Sequence, residues 1–329
     1  MNRDDVALFA LNASRPFAEG VAAALGVALA AHEEREFEDG EHKVRPLESV
    51  RGCDAYVLQS LYSDPAQGVD EKLVRLLYFV ACLKDAGAER VTVLAPYLAY
   101  ARKDRRTQPR DPVTTRYLAQ LFEAVGTDRL VGLEVHNLAA FQNAFRCPTE
   151  HLVPDGLFVD AVVGGLSPQE PVVVLSPDAG GVKRAERFRR VLSARLGREA
   201  PLAIMEKARS GGELRVGRLV GDVAGTTVVI VDDLISTGGT LVGAARACRA
   251  AGARRVMAAA AHGVFSAGAS QVLSGDALDR VLVTDTVAPV RLDSALLGSR
   301  VQVLTATGLF AEAVRRLHAG ESLLDLRDA

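Results

Sequence analysis

Thr227-Val228-Val229-Ile230-Val231-Asp232-Asp233-Leu234-Ile235-Ser236-Thr237-Gly238-Gly239-Thr240 is the stretch that decides the fold of this chain. Its apolar, β-branched run at 228–231 suits a strand buried on both faces of a parallel sheet. Two carboxylates follow, then a loop of small residues, and the sequence predicts a helix starting near Thr240. Each part has a chemical use. Ser236, Thr237 and Thr240 offer hydroxyls, while Gly238 and Gly239 let the backbone approach an anion closely. The coming helix would aim its unpaired N–H groups and positive dipole end at the same point. The stretch therefore reads as a phosphate-holding loop, with Asp232 and Asp233 beside it as acceptors for sugar hydroxyls.

Outward from this loop the same punctuation recurs. Apolar strand-like runs occupy residues 6–11, 55–59, 91–96 and 130–135 in the first half. In the second half they occupy 172–176, 202–205, 228–231, 256–260, 281–283 and 301–304. Between them, segments such as 70–86, 114–125 and 239–251 space their apolar residues as helices do. This alternation predicts an α/β fold of mainly parallel sheets flanked by helices. With 329 residues the chain is long enough for two domains, each with its own core, and the boundary is expected near 154–156.

Composition narrows the function. A net charge of −2 gives no global attraction to nucleic acid or to an anionic membrane. No uncharged apolar run reaches membrane-spanning length, and the charged Met1-Asn2-Arg3-Asp4-Asp5 start lacks an apolar signal core. Cys53, Cys82, Cys147 and Cys248 are scattered, with no Cys-x-x-Cys pair, which fits reduced thiols in a cytoplasmic protein.

Four further segments carry chemistry. Ser176-Pro177-Asp178-Ala179-Gly180-Gly181 follows a buried strand, so Asp178 is either a ligand at a strand's carboxyl end or the cap of the next helix. His136 ends another apolar strand, as a structural histidine or as part of a nucleotide–metal site. Lys207 and Arg209 end a strand before Ser210-Gly211-Gly212-Glu213, a pattern that suits a lid closing on phosphates or a solvated basic turn. Tyr97-Leu98-Ala99-Tyr100-Ala101-Arg102-Lys103-Asp104-Arg105-Arg106 puts a cation cluster after a strand, favouring polyphosphate and purine over a merely solvated face. By itself Phe37-Glu38-Asp39-Gly40-Glu41 is an ordinary acidic loop or hairpin turn.

The stretch 227–240 resembles the phosphoribosyl-pyrophosphate (PRPP) loop of the phosphoribosyltransferase fold. Taken in order, all these segments resemble the ribose-phosphate pyrophosphokinase, or PRPP synthetase, family. Val44-Arg45, Gly221-Asp222-Val223, Ala311-Glu312-Ala313 and Arg316-Leu317-His318 extend the likeness over essentially the whole chain. The resemblance implies two phosphoribosyltransferase-like domains, residues 1–154 and 155–306, and a closing helix and tail over 307–329. It implies ATP, ribose 5-phosphate and Mg²⁺, with self-association into dimers and hexamers. ATP would meet Phe37, Asp39, Gly40 and Glu41 of a neighbouring subunit, together with Arg102, Lys103, Asp104 and His136. Ribose 5-phosphate would meet Arg209, Asp232, Asp233, Ser236, Thr237, Gly238, Gly239 and Thr240. Mg²⁺ would lie near His136 and Asp178, and Lys207 and Arg209 would be catalytic. The chain departs from the family at Lys103, where glutamine is commonest, and at Ser236, where many members carry aspartate and a subset serine. It departs again at Glu134-Val135-His136-Asn137, where Asp-Leu-His-Ala is usual.

The implied reaction moves the pyrophosphoryl group of ATP to the 1-hydroxyl of ribose 5-phosphate. A phosphoribosyltransferase would share the 232–240 loop but would not need the 37–41 hairpin or the Arg102 cluster. A non-catalytic regulatory homologue would be expected to have lost Lys207, Arg209, His136 or Asp178, and all of these are present.

Overall fold

The computed structural model describes residues 6–210 and 213–327; the side chains of 207–210, 213–216, 325 and 327 lie outside the described part. The described chain divides into two compact units, one of residues 6–153 with 307–327 and the other of 154–306. The first unit runs β1 (Val6–Ala10), α1 (Arg15–Leu25), β2 (His32–Glu36), β3 (His42–Pro46), β4 (Asp54–Leu58), α2 (Val69–Asp85), β5 (Arg90–Ala95), α3 (Thr114–Ala124), β6 (Arg129–Leu133), α4 (Leu138–Ala144) and β7 (Thr149–Leu152). The second runs α5 (Asp155–Val163), β8 (Val172–Ser176), α6 (Val182–Leu196), β9 (Leu202–Ser210), β10 (Glu213–Val220), β11 (Thr227–Ile235), α7 (Gly239–Ala250), β12 (Arg255–Gly263), α8 (Ala269–Leu273), β13 (Arg280–Thr284) and β14 (Val301–Leu304). The chain then returns to the first unit through α9 (Thr307–Ala319).

The first unit's five-stranded sheet is parallel throughout, in the order β1-β4-β5-β6-β7. Its strands march in one direction, because each crossover lands on the next free edge. Every residue of β4 is buried, as expected for a strand covered on both faces. α2 covers one face with Leu73, Leu76, Leu77, Val80 and Leu83 at helical spacing. Each such buried side chain contributes roughly 1.5–3 kcal/mol. β2 and β3 form a separate antiparallel hairpin.

The second unit's seven-stranded sheet has the order β10-β9-β8-β11-β12-β13-β14. Alternation along its strands separates two cores. Val173, Leu175, Val228, Ile230, Val256 and Ala258 face Leu241, Ala245 and Cys248 of α7. Val172, Val174, Val229, Val231, Met257 and Ala259 face Phe158 and Val159 of α5 and Phe188 and Leu192 of α6. From β8 the chain crosses over α6 to β9 on one side, whereas β11 crosses over α7 to β12 on the other. The strand order thus reverses between β8 and β11. At such a reversal the connections leave in opposite directions and open a crevice beyond the strands' carboxyl ends.

The expected α/β architecture is present, with sheets flanked by helices. β9 and β11 are among the strands that run longer than the sequence predicts. β9 was expected to stop before Lys207 but continues to Ser210, because β10 pairs with it antiparallel. β11 was expected to end at its carboxylates but continues through Asp232 and Asp233 to Ile235. Pairing with β8 ends at Ile230↔Leu175, while pairing with β12 runs on to Ile235↔Gly263.

Candidate functional site

Asp232 and Asp233 therefore stand where β11 projects past β8, at the reversal itself. The Asp233 N–H donates to Asp232 Oδ1 at 2.9 Å. Arg184, from the first turn of α6, brings its Nη1 to 3.5 Å from Asp232 Oδ1 and 3.8 Å from Asp233 Oδ1. The Arg184 guanidinium thus lies near both carboxylates. Burial, and then the neighbouring Asp233 charge, raise the Asp232 pKa well above the usual carboxylate range.

The loop beyond the pair is built from backbone. Gly238 holds φ of +83° as N-cap of α7, and a Cβ there would meet Leu273 Cδ2 at 3.0 Å. An L-residue in that conformation costs about 1–2 kcal/mol before any clash, so glycine is required. At Gly239 the nearest atom to an added Cβ is Thr237 Oγ1 at 3.6 Å, so that position opens outward. First-turn N–H groups of a helix have no backbone partner within it, and the Gly239 N–H reaches the Thr237 hydroxyl at 3.4 Å, a long bond for which an anion can compete. Thr237, Gly239 and Thr240 are exposed around this mouth.

A second loop braces the first. The segment after β12 sends the Phe265 N–H to Ile235 O and the Ser266 N–H to Ser236 O, both at 3.0 Å. Ser236 Oγ and Ser266 Oγ lie 3.1 Å apart. Phe265 is fully buried with φ of +44°, and its ring closes against Gly263, where an added Cβ would strike it at 2.4 Å.

Asp178 follows β8, the strand beside β11. Its Oδ1 accepts from the Gly180 and Gly181 N–H groups at 2.9 and 3.0 Å, capping the turn into α6. The capping role considered for this residue is thus present. Lys207 and Arg209 have their backbones in β9, and their side chains lie outside the described residues.

In the first unit the turn at residues 37–41 joins β2 to β3. The Phe37 N–H donates to Glu41 O at 2.8 Å, Glu41 N–H to Asp39 Oδ1 at 3.1 Å, and Gly40 takes φ of +89°. Phe37 is 40% exposed, with the Arg35 guanidinium 5.0 Å from its ring centroid. Phe37, Asp39 and Glu41 line an open notch of about 500 Å³.

The segment after β5 is folded by side chains. Asp111 Oδ2 accepts from Lys103 Nζ, from Thr107 N and Oγ1 at 2.9 and 2.7 Å, and from Gln108 N at 2.9 Å. These donors hold the Asp111 carboxyl far below its ordinary pKa, the Lys103 bond most of all. Tyr100 and Arg110, at φ of +60° and +68°, bracket the segment in left-handed backbone. Asp104 Oδ2 accepts from Asn137 Nδ2 at 2.5 Å, tying this segment to the loop that carries His136. Arg102 and His136 are exposed. The structure thus brings the Arg102–Asp104 stretch near the His136 loop.

Sequence reasoning gave no role to Arg184, Asp111, Asn137 or Ser266. Arg184 adjoins the quoted Gly-Gly turn, and Asp111 lies 8 residues after Lys103. No local pattern in the sequence links either to its partner.

Residues 6–126 match the family described as the N-terminal domain of ribose phosphate pyrophosphokinase, and residues 212–327 match the phosphoribosyl synthetase-associated domain. Ribose-phosphate pyrophosphokinase 1 of Streptococcus pyogenes serotype M3 is 36% identical over 334 aligned residues, spanning 99% of this chain and 98% of that one. The ribose-phosphate pyrophosphokinase of Pasteurella multocida is 37% identical over 321, spanning 97% and 98%. The crystal structure of phosphoribosylpyrophosphate synthetase from Mycobacterium smegmatis superposes with a TM-score of 0.85 at 36% identity, covering 96% of this chain and 99% of that one. The chain belongs to the ribose-phosphate pyrophosphokinase family.

Proposed function

We propose that this enzyme transfers the pyrophosphoryl group of ATP to the 1-hydroxyl of ribose 5-phosphate, giving PRPP and AMP. The observation that supports this most is the crevice between β8 and β11. There a carboxylate pair stands beside a helix N-terminus opened by a left-handed glycine. The 5-phosphate would sit on Ser236, Thr237, Gly238, Gly239 and Thr240, against the first amides of α7. Asp232 and Asp233 would accept from the sugar's neighbouring hydroxyls, and Arg184 would balance part of their charge.

ATP would be taken by Arg102, Asp104 and His136, with Phe37, Asp39, Gly40 and Glu41 supplied by a neighbouring subunit. On that reading the active unit is at least a dimer, of which hexamers are a larger form. A single-chain mass by light scattering for active enzyme would refute it. Transfer of this kind needs alignment and charge neutralisation more than covalent help. Lys207 and Arg209 would close over the transferring group and stabilise its charge, with Arg209 also touching the sugar phosphate.

Magnesium would enter as the MgATP substrate. Among the described residues no three His, Cys, Asp or Glu side chains converge as a metal cage. Single carboxylates such as Asp178 suit Mg²⁺, which keeps waters and binds through one or two carboxylates plus phosphates. When bound, the ion would offset part of the charge on the phosphates. No described helix is long and apolar enough to cross a membrane, and we place the enzyme in the cytoplasm.

The test is direct. Purified protein with MgATP and ribose 5-phosphate should release AMP and PRPP in equal amounts. AMP without PRPP, or consumption of added PRPP with a base, would point to a different reaction.

A further inference from the structure

We propose that Lys103 is a positioning residue rather than a nucleotide contact: with Asp111 it closes a clasp that presents Arg102, Arg105 and Arg106 to the polyphosphate. The inference deepens the ATP reading above and rests on it.

The clasp centres on one carboxylate oxygen. Asp111 Oδ2 takes the Lys103 ammonium, both the amide and the hydroxyl of Thr107, and the Gln108 amide. Lys103 Nζ also donates to Thr107 Oγ1 at 2.9 Å. The ammonium is thus spent inside the segment, on a partner that stays ionised because all its neighbours donate to it. Two more ties hold the same stretch. Thr115 Oγ1 donates to the Tyr100 and Lys103 carbonyls at 3.1 and 3.3 Å, and Asp104 accepts from Asn137.

The three arginines are treated differently. Arg102, Arg105 and Arg106 are exposed, and none has an ion pair or side-chain hydrogen bond among the described residues. Acidic partners lie close in sequence, yet Asp104 is held by an amide and Asp111 by lysine. A fold that neutralises its lysine and leaves adjacent guanidinium groups open keeps its bidentate donors for an outside anion. Non-glycine residues in left-handed backbone persist only where surrounding contacts over-determine them, and Tyr100 and Arg110 bracket this segment. Thr115 holds the Tyr100 end and the clasp folds the chain between the two, so loss of the clasp would let the arginine rim drift.

A double-mutant cycle on the full-length enzyme tests the inference. MgATP and ribose 5-phosphate affinities are measured by calorimetry for wild type, Lys103→Met, Asp111→Asn and the double variant. Each single change should weaken MgATP about tenfold, and the double no more than the worse single, because both remove one clasp. Sugar-phosphate affinity should stay within about twofold in every variant, which also reports intact folding. Brief trypsin treatment should cut Asp111→Asn after Arg105 and Arg106 faster than wild type, without any ligand.

Additive losses in the double variant would overturn the proposal, since Lys103 would then touch nucleotide directly. Unchanged MgATP affinity in both single variants would overturn it as well. Wild type that fails to bind MgATP would overturn the ATP reading and this inference together, whereas wild type that binds while the singles match it removes only the inference.

Discussion

The seven-stranded sheet reverses its strand order between β8 and β11, while the five-stranded sheet never reverses. In the second unit the reversal opens a crevice by topology alone, and a short glycine loop on the α7 terminus furnishes it. The described strands of the first unit give no such reversal. The segment after β5 must therefore shape itself, which it does with the Asp111 clasp. One site is built from backbone and breaks when an atom is added. The other is built from side chains and breaks when one is removed.

The largest expected effect separates both loops from the chemistry. Lys207→Ala should leave MgATP and ribose 5-phosphate affinities near normal and lower turnover by about 10²-fold or more, the usual scale for losing a transition-state charge partner. If nucleotide affinity fell equally, Lys207 would belong to binding and the separation would fail.

Adding one side chain probes the backbone-built loop. Gly239→Val places carbon where the phosphate is proposed to sit, and its Cβ would meet Thr237 Oγ1 at an ordinary 3.6 Å. Ribose 5-phosphate binding should weaken roughly 10- to 100-fold, the range for losing charge-assisted hydrogen bonds, with MgATP binding kept. Equal losses of both ligands would mean general unfolding.

Charge in the crevice should oppose stability. The folded pKa of Asp232 is raised, so its stabilising protonation is fully present below the unfolded value of 3.8 and lost as pH climbs through about 7. Asp232→Asn should therefore unfold later than wild type at pH 8, by at most about 4 kcal/mol, with the gap shrinking toward pH 5. The same variant should bind ribose 5-phosphate poorly. A gap independent of pH, read by thermal unfolding, would remove Asp232 as its source.

The smallest effect tests the brace. Ser266→Ala removes the hydroxyl facing Ser236 but keeps the backbone bonds to Ile235 and Ser236. A loss of about 1 kcal/mol in sugar-phosphate binding is expected, or roughly fivefold. A loss as large as that of Gly239→Val would show that side chains, not backbone, build this loop.

The contrast also explains what the sequence made legible. A buried parallel strand, a glycine turn and a helix start are local signals, so β8, β11 and α7 were readable and the phosphate loop with them. β10 was not, because Glu213-Leu214-Arg215-Val216-Gly217-Arg218 carries too many charges to read as a strand before its pairing with β9 is known. β7, Thr149-Glu150-His151-Leu152, hides for the same reason. Arg184 meets Asp232 across two elements, and Lys103 meets Asp111 only once the turn between them has closed. Charges joined by tertiary folding leave no periodic trace.

α9 closes the first unit from the far end of the chain. Phe310 meets Phe17 of α1 edge to face at 5.6 Å, and Thr307 fills the space over Gly20, where an added Cβ would strike it at 2.7 Å. His318 Nδ1 lies 3.0 Å from Asp54 Oδ2, which Arg90 also holds. A chain made from its amino end thus starts the first unit early and completes it last, after the whole second unit has been synthesised. On the ribosome the order of birth and the order of completion are opposite, and the apolar face of α1 awaits its cover throughout.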